Sequence, residues 1–113
     1  MPGLIPLKLN KEFKRAYFQG KFKAHPLLVS YRVKNRSREV RIGITTSKKI
    51  GCAVRRNRAR RIIRQAFFEL CRENPGMYNG FDYVFVARER TPLAKTPEVK
   101  DVMRRELDFL RRL

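Results

Sequence analysis

Acidic side chains are scarce in this chain, and they are missing where a basic protein would most need them. Ten Asp and Glu stand against 28 Lys and Arg in 113 residues, leaving a net charge of +18 and a pI near 11.1. The ten acids (Glu12, Glu39, Glu69, Glu73, Asp82, Glu89, Glu98, Asp101, Glu106, Asp108) form no DxD, ExxE or HxxE cluster. Glu69 and Glu73 are four apart beside Arg72 and read as solvated helix charges. Histidine occurs once, as His25 before Pro26, which excludes a two-histidine ribonuclease mechanism. Cys52 and Cys71 have neither CxxC spacing nor neighbouring histidines, so no metal site is expected and both thiols are expected to be reduced. No Gly-rich phosphate loop is present. No apolar run approaches the ~18 residues that span a bilayer, so any membrane contact would be peripheral. The opening MPGLIPLKLN lacks the charged and apolar regions of a secretory signal. A cytoplasmic protein with no catalytic residues of its own is expected.

What is present is concentrated. Residues Lys48 to Arg64, KKIGCAVRRNRARRIIR, carry eight cations (Lys48, Lys49, Arg55, Arg56, Arg58, Arg60, Arg61, Arg64) and no acid. Like charges packed this densely repel one another, and a polyanion such as RNA supplies the missing counter-charge. A merely solvated helix face would interleave Glu or Asp at i+4 spacing, and none occurs here. Arginine outnumbers lysine, and its planar fork grips phosphate oxygens bidentately. Lys48, Lys49, Arg55, Arg56, Asn57, Arg58, Arg60, Arg61 and Arg64 are therefore the expected RNA-binding set.

Size and composition fit one domain over residues 1–113 with a single modest core. Asn10, KEFKRAYFQ and Gly20 read as cap, short helix and stop. Residues 27–33 alternate as a strand, with Leu27, Val29, Tyr31 and Val33 on one side. A polar turn over residues 35–39 leads to a second strand over 40–46, and the short connection predicts an antiparallel hairpin between them. From about Val54 to Cys71 the stripe Ala59, Ile62, Ile63, Ala66, Phe67, Leu70 is helical, with Asn57, Arg60, Arg61, Arg64 and Phe68 opposite. Residues 83–87, YVFVA, are apolar on both sides, as in a strand inside a sheet. A helix from Pro97 closes the chain. The order predicts an α+β domain with one small sheet and a parallel pair flanking the long helix, for which the general rule favours right-handed crossover.

Phe13 and Tyr17 share a helical face, with Lys11, Lys14 and Arg15 on the same helix, and Tyr31 neighbours Arg32. Aromatics among cations suit a single-strand platform that stacks bases and holds phosphates. Core packing accounts for the same rings.

The segment from Lys48 to Arg64 resembles the signature of the bacterial ribonuclease P protein subunit, KK-x-G-x-AV-x-RNR-x-KR followed by x-x-R. LNKEFKRAYFQG is similar to that family's first helix, VSYR and VRIGITTSKK to its following strands, and FDYVFVAR to its last strand. Two positions depart from the pattern: Cys52 stands where Asn is usual, and Arg60 where Lys is common. The resemblance implies a four-stranded mixed sheet packed with three helices and a left-handed βαβ crossover. It also implies a catalytic RNA partner that removes the 5′ leader of precursor tRNA, using Mg²⁺ held mainly by the RNA, with no stable protein partner required. The RNR-bearing helix would then contact the catalytic RNA, and Phe13, Tyr17, Tyr31 and Lys49 would hold the single-stranded leader. A structural RNA-binding protein, such as a small ribosomal protein, is the alternative that charge and size also suit.

Overall fold

Three helices and a five-stranded mixed sheet make up the structure, a computed structural model that describes residues 4–113. In chain order the elements are β1 (Ile5–Pro6), α1 (Asn10–Gln19), β2 (Lys21–His25), β3 (Leu28–Lys34), β4 (Arg41–Thr45), α2 (Ala53–Glu73), β5 (Phe81–Ala87) and α3 (Thr96–Arg111). Single 3₁₀ turns stand at Lys48–Ile50 and Thr91–Leu93. The strands lie side by side in the order β1-β4-β5-β3-β2.

β5 holds the centre because its sequence leaves no side for water: Tyr83, Val84 and Phe85 are all fully buried. It runs parallel to β4 and antiparallel to β3. The parallel pair across α2 is as the sequence indicates, but the expected hairpin between β3 and β4 does not form. β5 separates them. The loop between those strands is parted by the turn that leads into β5: the Asn35 N–H donates to Gly80 O at 3.0 Å, and the Gly80 N–H to Glu39 O at 3.1 Å. The true hairpin joins β2 and β3, turning through Pro26 and Leu27 with His25 opposite Leu28. β2 (KFKAH) escaped the sequence reading because every residue in it is exposed, so no apolar alternation marks it. Lysines on an edge strand discourage pairing with another chain. The fifth strand is β1, two residues parallel to β4, with Pro6 tolerated at the edge.

The two faces of the sheet are covered differently. On one, the α2 stripe Ala59, Ile62, Ile63, Ala66, Phe67 and Leu70 and the α3 residues Val99, Val102, Met103, Leu107 and Leu110 are buried against Leu28, Tyr83 and Phe85. Phe67 sits 5.2 Å from Tyr83 and 5.1 Å from Phe85, ring centre to ring centre. Among the described residues, α1 is the one helix on the other face. There Ala16 is buried with Leu7, Val33 and Val84, and Phe13, Tyr17 and Tyr31 pack half-buried around them. A Cβ on Gly43 would come within 2.6 Å of the Phe13 ring. Its absence lets that ring lie flat on β4.

Charge fastens α1 to the sheet. Asp82, buried on β5, accepts from Arg41 Nε at 2.7 Å and Nη2 at 2.8 Å, and from Asn35 Nδ2 at 2.9 Å. Arg41 Nη1 reaches Glu12 at 2.7 Å. The other Glu12 oxygen accepts the Lys8 and Leu9 N–H groups that open α1. Those backbone N–H groups and Arg41 hold the Glu12 carboxyl below its ordinary pKa. Removing Asp82 takes from the partly buried Arg41 the carboxylate that binds its Nε and Nη2, leaving it Glu12 alone. Asp82→Ala is expected to cost about 3 kcal/mol, the lower end for breaking a buried pair because Arg41 retains some solvent, measured by urea unfolding.

Glu106 on α3 is 4% exposed. Its Oε1 accepts the Ser30 hydroxyl at 2.8 Å, while Oε2 has no partner. Burial raises its pKa from 4.5 to about 8, against the opposing pull of Ser30 and of Lys23 from β2. The folded state therefore holds this proton more tightly than the unfolded chain. The stabilisation is complete below about pH 4.5 and fades as pH rises through 8. Wild type is expected to lose up to about 1.4 kcal/mol per pH unit across that window. Glu106→Gln should remove the dependence, read as the difference between the two proteins in urea midpoints at pH 6 and pH 9.

Candidate nucleic-acid interface

The basic segment begins in the 3₁₀ turn Lys48–Ile50 and passes through Gly51 and Cys52 into α2. Gly51 has φ 123°, a conformation that side chains disfavour, and the Arg55 stem packs where a Cβ would stand, 3.0 Å away. Lys48, Lys49, Arg55, Asn57, Arg58, Arg60, Arg61 and Arg64 are exposed, while Arg56 is half-buried with an unpartnered Nε. Among the described residues, none of the eight cations from Lys48 to Arg64 has an ion-pair partner. Arg55 and Arg56 occupy the first turn of α2, which contains no acid. That end of a helix already carries partial positive charge, so the extra cations are unfavourable there until an anion arrives.

Four members of this set line two separate openings. Arg58, Arg61 and Arg64 line one wall of an open groove of about 510 Å³, and Lys95, just before α3, lines the other. Lys95 is 31 residues beyond the end of the basic run at Arg64, and nothing in the sequence ties it there. Lys49 belongs elsewhere. It lines an open cavity of about 690 Å³ beyond the carboxyl ends of β4 and β5, with Ser47, Arg88 and Arg90 and with one acid, Glu89. Arg88 and Arg90 also escaped the sequence reading, since only the pairing of β4 with β5 brings them beside Lys49. Crevices at the carboxyl ends of neighbouring parallel strands are frequent ligand sites.

The aromatic residues meet on the α1 face of the sheet. Tyr17 and Tyr31 pack edge to face, ring centres 5.0 Å apart and planes at 75°. The Tyr17 hydroxyl shares a 2.7 Å hydrogen bond with Thr45 Oγ1. Phe13 lies one helical turn back, over Gly43. Half-buried Val86, on the same face of β5, continues this surface into the Lys49 cavity.

The cations interleaved with these rings in sequence are not beside them in space. Arg32 points to the opposite face of the sheet from Tyr31, with its guanidinium 3.5 Å from the Phe81 ring centre and its Nε 3.4 Å from the Tyr83 hydroxyl. Arg15 donates to Lys34 O at 2.7 Å, and Lys11 and Lys14 line the outer side of α1 near Phe18. Lys49, Arg88 and Arg90 gather instead in the neighbouring cavity, which the ring-bearing face reaches through Val86. Phe68, placed by helical geometry opposite the core stripe, is half-buried under the Arg72 guanidinium.

Among the described residues, no three His, Cys, Asp or Glu side chains gather as metal ligands, and no helix is long and apolar enough to cross a membrane. Both cysteines are free. Cys52 caps α2, where the N–H groups of Arg55 and Val54 lower its thiol pKa. Burial pushes Cys71 up to about 12. Alkylation of the native protein near pH 8 is therefore expected to modify Cys52 at least tenfold faster than Cys71, since the thiolate is the reactive form, and peptide mass mapping reads the ratio.

Comparison with known proteins agrees with this architecture. The family model for Ribonuclease P matches residues 1–111. A ribonuclease P protein component of Clostridium botulinum (strain Langeland) is 43% identical over 82 residues, covering 73% of this chain and 72% of the relative. That of Thermoanaerobacter sp. (strain X514) is 37% identical over 102 residues, 90% of this chain and 85% of the relative. The solved RNase P protein of Staphylococcus aureus matches with a TM-score of 0.77 at 28% identity, covering 92% of this chain and 93% of that one. The Thermotoga maritima RNase P protein matches with a TM-score of 0.73 at 28% identity, covering 96% of each chain. The acid-free basic run that opens α2 and the α+β frame that carries it thus belong to one family, and this chain is a member of the ribonuclease P protein family.

Proposed function

We propose that residues 1–113 act as one RNA-binding domain, the protein subunit of a cytoplasmic ribonuclease P that removes the 5′ leader of precursor tRNA. The observation that carries this reading is the row of exposed cations on α2 without protein partners. Arg58, Arg61 and Arg64, with Asn57, Arg60 and Lys95, grip the phosphates of the catalytic RNA. Lys48, Arg55 and Arg56 meet the same RNA at the start of the helix. The leader runs through the cleft on the other side, with its unpaired bases on Tyr17 and Tyr31 beside Phe13. Its phosphates lie near Lys49, Arg88 and Arg90. By family likeness, the β4–α2–β5 crossover is left-handed.

The RNA carries out bond cleavage. Mg²⁺ would neutralise charge at the reacting phosphate and would be held by the RNA: among the described residues no three acidic, histidine or cysteine side chains gather, Asp82 and Glu12 face Arg41, and Glu69 and Glu73 face Lys100. The protein raises substrate affinity through the leader, screens repulsion between two RNAs and so lowers the Mg²⁺ requirement. Reconstitution with the cognate RNA at low Mg²⁺ tests the reading. Cleavage of precursor tRNA no faster with the protein than without it would refute it.

Each phosphate contact adds about −0.7 to −0.9 to the slope of log affinity against log salt. The double change Arg61→Ala, Arg64→Ala is thus expected to flatten the slope for catalytic-RNA binding by about 1.4 to 1.8, measured by filter binding between 50 and 300 mM salt. Melting temperature should not fall, since both side chains are exposed and unpaired and their loss relieves like-charge repulsion.

A further inference from the structure

Phe22 stands at the middle of β2 with 57% of its surface exposed. Its register partner is Tyr31, so it lies on the α1 face, beside the aromatic cleft. The flanking Lys21 and Lys23 turn to the opposite face, where the Lys23 ammonium sits 4.6 Å from the Phe109 ring centre. The Phe22 and Tyr31 rings are stacked, centres 5.3 Å apart and planes 28° from parallel. Tyr31 meets Tyr17 edge-on, so three rings run in a row from the edge strand across β3 to α1.

This ring gains little from where it is. The apolar cluster on that face comprises Leu7, Ala16, Val33 and Val84, with Phe13, Tyr17 and Tyr31 around it, and Phe22 lies outside it. On an edge strand that otherwise carries lysine, an uncovered phenyl group is a liability for association. What it offers is a flat π-surface contiguous with Tyr31, on the face that opens toward Lys49, Arg88 and Arg90. An exposed aromatic joined to a cation-lined cleft has the chemistry of a stacking site for single-stranded nucleic acid.

We propose that Phe22 stacks an unpaired nucleobase of the bound leader, extending the cleft by one nucleotide over β2 beyond the base held at Tyr31. Because every base has a π-face, this position adds affinity and leader-length dependence rather than sequence preference. The proposal rests on the leader-binding reading above, and the experiment separates failure of the one from failure of the other.

Holoenzymes reconstituted with wild type, Phe22→Ala, Phe22→Leu and Phe22→Tyr are compared for binding to precursor tRNA with a long leader and to the leaderless form. Phe22→Leu keeps an apolar cover on Tyr31 but has no π-face, so it reports on stacking even if Phe22→Ala disturbs folding. Ala and Leu variants should weaken leader-bearing substrate about five-fold to a hundredfold and leave leaderless binding unchanged, while Tyr stays near wild type. Wild type binding both substrates equally would sink the leader reading itself. Wild type discriminating between them, with the Leu variant unaffected, would overturn the role of Phe22 alone. A Phe22-dependent dimer of the protein without RNA would likewise overturn it, assigning the ring to self-association.

Discussion

Like-charge repulsion governs this molecule, and the placement of its few acids decides where that repulsion is relieved. Glu12 and Asp82 meet Arg41, Glu69 and Glu73 meet Lys100, and Asp101 meets Arg104 and Arg105. These pairs fasten α1 to the sheet, tie the far end of α2 to α3 and brace α3 along its own surface. The first half of α2 receives none. It is held in place by apolar burial on one side while its charges stay uncompensated on the other. The interaction energy withheld inside the protein remains available to a polyanion outside it.

The sheet separates two tasks by its two faces. One face is filled by α2 and α3 and makes the larger core, so α2 is anchored along a continuous apolar stripe and presents its cations on a rigid support. The other face is covered by the ten-residue α1 alone. A short helix cannot cover five strands, so the carboxyl ends of β4 and β5 and the β2 edge stay open. Aromatic residues at that boundary pack with one side and remain accessible on the other. Packing uses one side of these rings and the proposed leader contact would use the other, which is why the sequence supports both readings of Phe13, Tyr17 and Tyr31.

The buried Arg41–Asp82 pair couples the tasks. Asp82 is on the central strand, Arg41 on its parallel neighbour, Asn35 in the loop between β3 and β4, and Glu12 on α1. A network of this kind fixes the angle of α1 over the sheet, and with it the width of the cleft.

Periodicity along the chain determined much of this by itself. The α2 stripe was legible from apolar spacing of 3.6 residues, β5 from a run apolar on both sides, and the parallel pair across α2 from the order strand, helix, strand. The acid-free cationic run and its lack of partners were legible too, since no nearby acid existed to pair with it. Strand neighbours were not. A short polar loop between β3 and β4 looks like a hairpin until a more apolar strand claims the position between them. β2 carries no apolar signal, and only backbone hydrogen bonding to β3 makes it a strand. Tertiary structure alone decided where these cations lie: the closed sheet turns Arg32 from Tyr31 toward Phe81 and Tyr83, and the parallel pairing of β4 with β5 brings Arg88 and Arg90 to Lys49. Local spacing fixes which face a side chain takes, but only the closed sheet fixes what stands opposite it.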